Sequence, residues 1–148
     1  MAAVEELLEV RPELTVDGQR PMAAELADRL KSFWLPEEAV LYIGLAGTSL
    51  RKRVGQYYRT PLGARRPHRG GWFLKTLTIL PELYVHFAAA QSPTRSEGEL
   101  IGSFVDGVSA EARAALRDAS RPFPFANLEW PPGTRKNHGI KGASEPRR

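Results

Sequence analysis

Residues 40–58 constrain the fold of this chain more than any other stretch. Val40, Leu41, Tyr42 and Ile43 form a compact apolar run of the kind that makes a buried strand. Gly44 and Gly47 follow as a turn, and Thr48 or Ser49 stands where a helix N-cap belongs. Leu50, Val54 and Tyr57 or Tyr58 then recur at helical spacing. A strand leading through a tight turn into a capped helix places the chain among mixed α and β domains.

The flanking pattern agrees. Residues 2–9 suit a short helix or a strand, and residues 11–20, with Pro12, Asp17 and Gly18, suit loop and turn. Pro21 opens a helix with Met22, Leu26, Leu30 and Phe33 on one face, and Pro36 stops it. Residues 72–80 suit a short helix, and residues 83–89 (LYVHFAA) read as a second strand. Ser96 and Glu99 make a capping box, which puts Glu97 in the first turn of a helix carrying Leu100, Ile101, Phe104 and Val108. Ser109 caps a further short helix through Leu116. With 148 residues, 42% of them apolar, one domain is expected. The expected class is α+β, with a central, mainly antiparallel sheet flanked by helices. Its regions are an extension or hairpin insertion over 1–36, a core over 37–132 and a basic tail over 133–148.

Exclusions narrow the function. Cysteine is absent, so disulfides, thiolate nucleophiles and Cys-based metal sites are out. No apolar run approaches the roughly 18 residues of a membrane span. The acidic N-terminus does not read as a secretory leader. The expectation is a cytoplasmic protein with no membrane partner.

The net charge of +4 conceals a strong division. Residues 39–81 hold no acid and eight bases: Arg51, Lys52, Arg53, Arg59, Arg65, Arg66, Arg69 and Lys75. Residues 1–38 and 82–132 are both net acidic, and residues 133–148 are net basic again. Such clusters mark a phosphate-binding surface; the plainer reading is a solvated basic face. Between the glycines of residues 133–142 lie Arg135, Lys136, Asn137, His138 and Lys141. There the backbone can approach DNA closely, with Arg135 suited to bidentate contact with guanine. A loose basic tail is the alternative.

Arg53 and Tyr57 are spaced i, i+4 and share one helical face. Together with a Tyr at the strand end, they can converge on one point. Chemistry on a phosphodiester uses such a set. A guanidinium neutralises charge in the transition state, and a phenol orients water, or deprotonates it if its pKa is lowered. A carboxylate holds a divalent metal, and Glu97 is the natural candidate.

The stretch Y-I-G at 42–44 with Arg53 and Tyr57 resembles the second strand and first helix of GIY-YIG nucleases. Glu97-Gly98-Glu99-Leu100-Ile101 is similar to the family's E-x-x-L-I helix, and Pro124-Phe125-Ala126-Asn127 to its terminal Pro-x-x-Asn element. The resemblance spans roughly residues 40–127. It implies a GIY-YIG-like fold and a DNA endonuclease that binds one Mg²⁺ or Mn²⁺ at Glu97. Tyr42, Arg53, Tyr57, Glu97, His68 and Asn127 would be its catalytic set, and a homodimer would serve to cut both strands. No G-I-Y or G-V-Y precedes Tyr42. The first strand would be residues 32–34, or residues 4–10 with the following helix as an insertion. The proton acceptor would then be Tyr42, Tyr57 or His68, or a metal-bound hydroxide would attack directly. The rival reading is a DNA-binding module on a decayed nuclease fold. A phosphate cradle at Gly44 and Gly47 is weaker, because no G-K-S or G-K-T follows.

Overall fold

Helix α2 (Ala23–Lys31) buries Leu26 and Leu30, and Phe33 is buried just beyond its end. This is the apolar stripe expected of an amphipathic helix. Met22 does not join it: the residue is the N-cap and 68% exposed. The computed structural model describes residues 2–64, 71–130 and 133–143. Before α2 come α1 (Ala2–Val10) and β1 (Thr15–Val16). Beyond it lie α3 (Leu50–Arg59), two 3₁₀ turns (Trp72–Thr76 and Leu80–Glu82), α4 (Pro93–Gly107) and α5 (Ala110–Ala115). Strands β2 (Glu129–Trp130), β3 (Thr134–Arg135) and β4 (Ile140–Lys141) close the order. The chain is a mixed α+β domain.

Among the described residues the two ladders are short and antiparallel. β1 pairs with β4, Thr15 opposite Lys141 and Val16 opposite Ile140. β2 pairs with β3, Glu129 opposite Arg135 and Trp130 opposite Thr134. One hydrophobic cluster joins distant parts of the sequence: Val4 and Leu7 of α1, Leu26 and Phe33, Phe73, Phe125, Ile140 and Ala143. Segments 1–36, 37–132 and 133–143 therefore share a core, and the last of these is packed against the rest.

The expected central sheet is replaced by these two small ladders among the described residues. Residues 40–43 lie in no ladder among the described residues, and their hydrogen-bonded neighbour is a turn. Leu41 C=O accepts the Ala126 N–H at 2.9 Å. The Asn127 side chain accepts the Ile43 N–H and donates to the Ile43 C=O, both at 2.8 Å. A primary amide presents one donor and one acceptor side by side, and here it takes the place of a strand edge. The segment at 83–89 lies in no ladder among the described residues, and Tyr84 and Phe87 are 90% and 77% exposed. Apolar β-branched and aromatic content reads as a strand in sequence, but a ladder needs an adjacent edge.

Helix α4 also begins earlier than its capping box suggests. Pro93 occupies the first turn after Ser92, and Ser96 N–H already donates to Ser92 C=O at 3.0 Å. Glu99, freed from capping, pairs with Arg95 at 2.7 Å. Glu97 thus lies a full turn inside the helix.

Candidate functional site

The site is built around Tyr42. Its ring folds back over Gly44, where an added Cβ would fall 2.6 Å from Cε1. On the other side it meets Gly71, whose φ is +66° and whose notional Cβ would lie 3.2 Å from Tyr42 Cε2. Two glycines therefore make the slot that holds the phenol.

Helix α3 supplies the next groups. Ser49 Oγ accepts the Lys52 N–H at 3.3 Å, so Ser49 is the cap of the two candidates, Thr48 and Ser49. This start puts Arg51, Lys52 and Arg53 in solvent and turns Tyr57 inward. Tyr57 Oη donates to Gly71 C=O at 2.8 Å, so α3 and the Tyr42 slot are tied together. Lys75 Nζ donates to Tyr57 C=O at 2.6 Å and Thr60 C=O at 2.7 Å. It satisfies the last carbonyls of α3 and complements the helix dipole.

Glu97 enters from α4, half-buried. Burial pushes its carboxyl above the usual carboxylate range, while the Leu45 amide and the Arg53 guanidinium act against that rise. Glu129 adds to the rise. The Tyr42 phenol is raised chiefly by burial and further by Glu97, with Arg53 opposing. Tyr42, Arg53 and Glu97, from three separate segments, thus lie within electrostatic reach of one another. Tyr57 is also pushed well up, by burial first and then by Tyr42 and Tyr58. Both phenols stay protonated near neutral pH. A base role would need a lowered pKa; Tyr57 instead has its hydroxyl engaged as a donor to Gly71 C=O.

Asn127, expected in the catalytic set, is buried with its amide engaged on the Ile43 backbone. It holds the segment that carries Tyr42. Sequence reasoning did not single out Glu129 and Trp130. Trp130 Nε1–H donates to Gly98 C=O at 2.9 Å, and its ring lies 3.1 Å from the notional Cβ of Gly102. This contact locks the start of α4 beside the site. The available signal was the pair of glycines one turn apart on the E-x-x-L-I helix, room for a flat ring.

The expected DNA contacts divide. Arg51, Lys52, Arg59, Arg135 and Lys141 are exposed, and Arg135 pairs with Glu129 at 3.4 Å. Lys75 is turned onto the end of α3, as above. Lys136 is buried at 5% exposure and donates to Pro124 and Phe125 C=O. His138 Nδ1 accepts the Ile140 N–H at 3.0 Å, and burial with the nearby cations Lys136 and Arg29 pushes it down to about 4. Lys136 and His138 are structural side chains in place of the surface contacts expected. Arg65, Arg66, His68 and Arg69 lie outside the described residues.

Among the described residues no three His, Cys, Asp or Glu side chains gather as a metal-binding group. No helix among them is long and apolar enough to cross a membrane. No family model, curated protein or solved structure matches the chain.

Proposed function

We propose that the chain is a DNA endonuclease of GIY-YIG type, hydrolysing phosphodiester bonds at the Tyr42, Arg53, Glu97 site. The observation that supports this most is that those three side chains lie within electrostatic reach of one another. They are far apart in sequence, and each suits one requirement of phosphoryl chemistry. Arg53, exposed on α3, neutralises charge that grows on the phosphate oxygens. Tyr42, kept protonated, donates to a phosphate oxygen or orients water.

Glu97 suits a hard divalent cation. Its donor is oxygen, and its carboxylate carries a desolvation cost that a bound cation relieves. Mg²⁺ or Mn²⁺ held there would supply Lewis-acid stabilisation of the scissile phosphate. Arg51, Lys52 and Arg59 grip the DNA backbone, and Arg135 and Lys141 extend the basic surface. A single site cuts one strand, so double-strand cleavage takes a homodimer or two sequential nicks. The setting proposed is the cytoplasm.

The test is nicking of supercoiled plasmid with Mg²⁺ or Mn²⁺, with and without EDTA. Metal-dependent nicking that disappears in Glu97→Ala, with DNA binding retained, is the expected result. Binding with no nicking on plain or modified DNA would favour the decayed DNA-binding module, a reading suggested by the lack of a G-I-Y tyrosine ahead of Tyr42.

A further inference from the structure

The buried polar side chains of the described residues are Thr60, Asp118, Asn127 and Lys136. Thr60 is satisfied by its own helix, donating to Gln56 C=O at 2.6 Å. The other three lie along one path through the core. Asp118 accepts the Asn137 N–H at 2.7 Å, beside Lys136. Lys136 Nζ donates to Pro124 C=O at 3.1 Å and Phe125 C=O at 2.9 Å. Two residues further on, Asn127 holds Ile43 by both its N–H and its C=O. Ile43 directly follows Tyr42.

A buried ammonium is a costly way to fill a core. An apolar side chain of equal length would pack against Phe33 and Phe73, whose ring centroids lie 5.5 and 5.9 Å from Lys136 Nζ. It would leave the two carbonyls of the 124–127 turn without these donors. That turn is the platform for the Asn127 amide, and its own Asn127 N–H bonds to Pro124 C=O at 2.9 Å.

We propose that Lys136 is a positioning residue: its ammonium pins the 124–127 turn, so that Asn127 holds the Tyr42 and Ile43 backbone in place beside Arg53 and Glu97. Its effect on catalysis rests on the nuclease reading; its effect on the Ile43 backbone does not. The charged and titratable groups around it are few. Asp118 is the carboxylate that favours the ammonium. His138 is pushed down to about 4 and stays neutral near pH 7. Arg29 of α2 is engaged by Asp17 and by His138 C=O. Burial brings Lys136 itself down to about 7. Charge-assisted bonds are the stronger kind, so the pin loosens as the proton leaves above neutrality.

The cysteine-free chain allows a direct test. Lys136→Cys introduces a single thiol, and 2-bromoethylamine applied to the unfolded chain restores an aminoalkyl arm after refolding. Hydrogen exchange is read at the Ile43 amide, relative to the Leu30 amide of α2, alongside plasmid nicking. In Lys136→Cys the relative Ile43 protection should fall by about tenfold. The turnover number should fall with KM little changed, and alkylation should restore both. Unchanged Ile43 protection in Lys136→Cys, or a loss that alkylation does not restore, overturns the proposal. Should Lys136→Cys fail to fold, Lys136→Met, which keeps the length and apolar packing of the side chain, decides. Its Ile43 to Leu30 protection ratio should fall by about tenfold relative to wild type, and an unchanged ratio overturns the proposal. If the wild-type protein cuts no DNA, the nuclease reading fails, while the exchange data still decide the role of Lys136.

Discussion

Replacing Lys136 by Met should change how the stability of the fold depends on pH. In the unfolded chain this lysine titrates near its ordinary 10.5; burial in the folded protein brings it to about 7. Between those values the unfolded state holds a proton that the folded state has lost. Stability therefore rises with pH across that interval. Each pH unit contributes about 1.4 kcal/mol, and the whole interval about 5 kcal/mol. Lys136→Met has no such group. It also leaves the Phe125 carbonyl without the lysine donor, an offset of about 1–3 kcal/mol that does not vary with pH, while Pro124 C=O keeps the Asn127 N–H. Urea unfolding of both proteins at a series of pH values isolates the titration as a difference. Wild-type stability minus variant stability should be level in mild acid. It should climb from about pH 7, reaching about 3 kcal/mol more by about pH 9.5. His138 titrates in both proteins and cancels to first order. A level or falling difference across neutral and alkaline pH would show that burial does not depress the titration of this lysine.

Three further outcomes are expected. Gly44→Ala places a methyl 2.6 Å from Tyr42 Cε1, so the phenol must swing out of its slot. Nicking should fall at least about tenfold, with a stability loss of about 1–3 kcal/mol, and parental nicking would show that this phenol position is unimportant. Asn127→Asp sets an acceptor against Ile43 C=O where an N–H now donates. The loss in urea unfolding should be about 1–3 kcal/mol, and an unchanged midpoint would dismiss the clamp. Tyr84→Lys combined with Phe87→Lys changes two side chains that are 90% and 77% exposed. Light scattering on heating should show less aggregation with no loss of melting temperature; equal aggregation would mean that this unpaired segment is not the adhesive surface.

Helices were the legible part of this fold, because capping and apolar spacing are local properties. Ser49 over α3, Ser109 over α5 and the Leu26, Leu30 stripe of α2 all follow from neighbouring residues. Strand pairing was less legible. Residues 40–43 have the composition of a strand, but whether a strand or a turn lies beside them depends on residues 126 and 127, far away in sequence. No single spacing in the sequence places Tyr42, Arg53 and Glu97 within electrostatic reach of one another, since they come from three separate segments. Burial of Lys136 was hidden for a different reason. In sequence it sits among glycines and bases, where a solvated cation is the usual outcome.

The β1–β4 ladder bears on the order of folding. Thr15 and Val16 find their partners only at Ile140 and Lys141, across almost the whole described chain. A ribosome must therefore release the residues around Ile140 before Leu14 and Val16 gain their cover. Until then the helices formed from residues 2–31 carry an apolar face without its full partner. Closing so large a loop raises the entropic barrier, so assembly should be slow for a helix-rich domain of this size. A nascent chain stalled before residue 140 would be a target for chaperones and proteases.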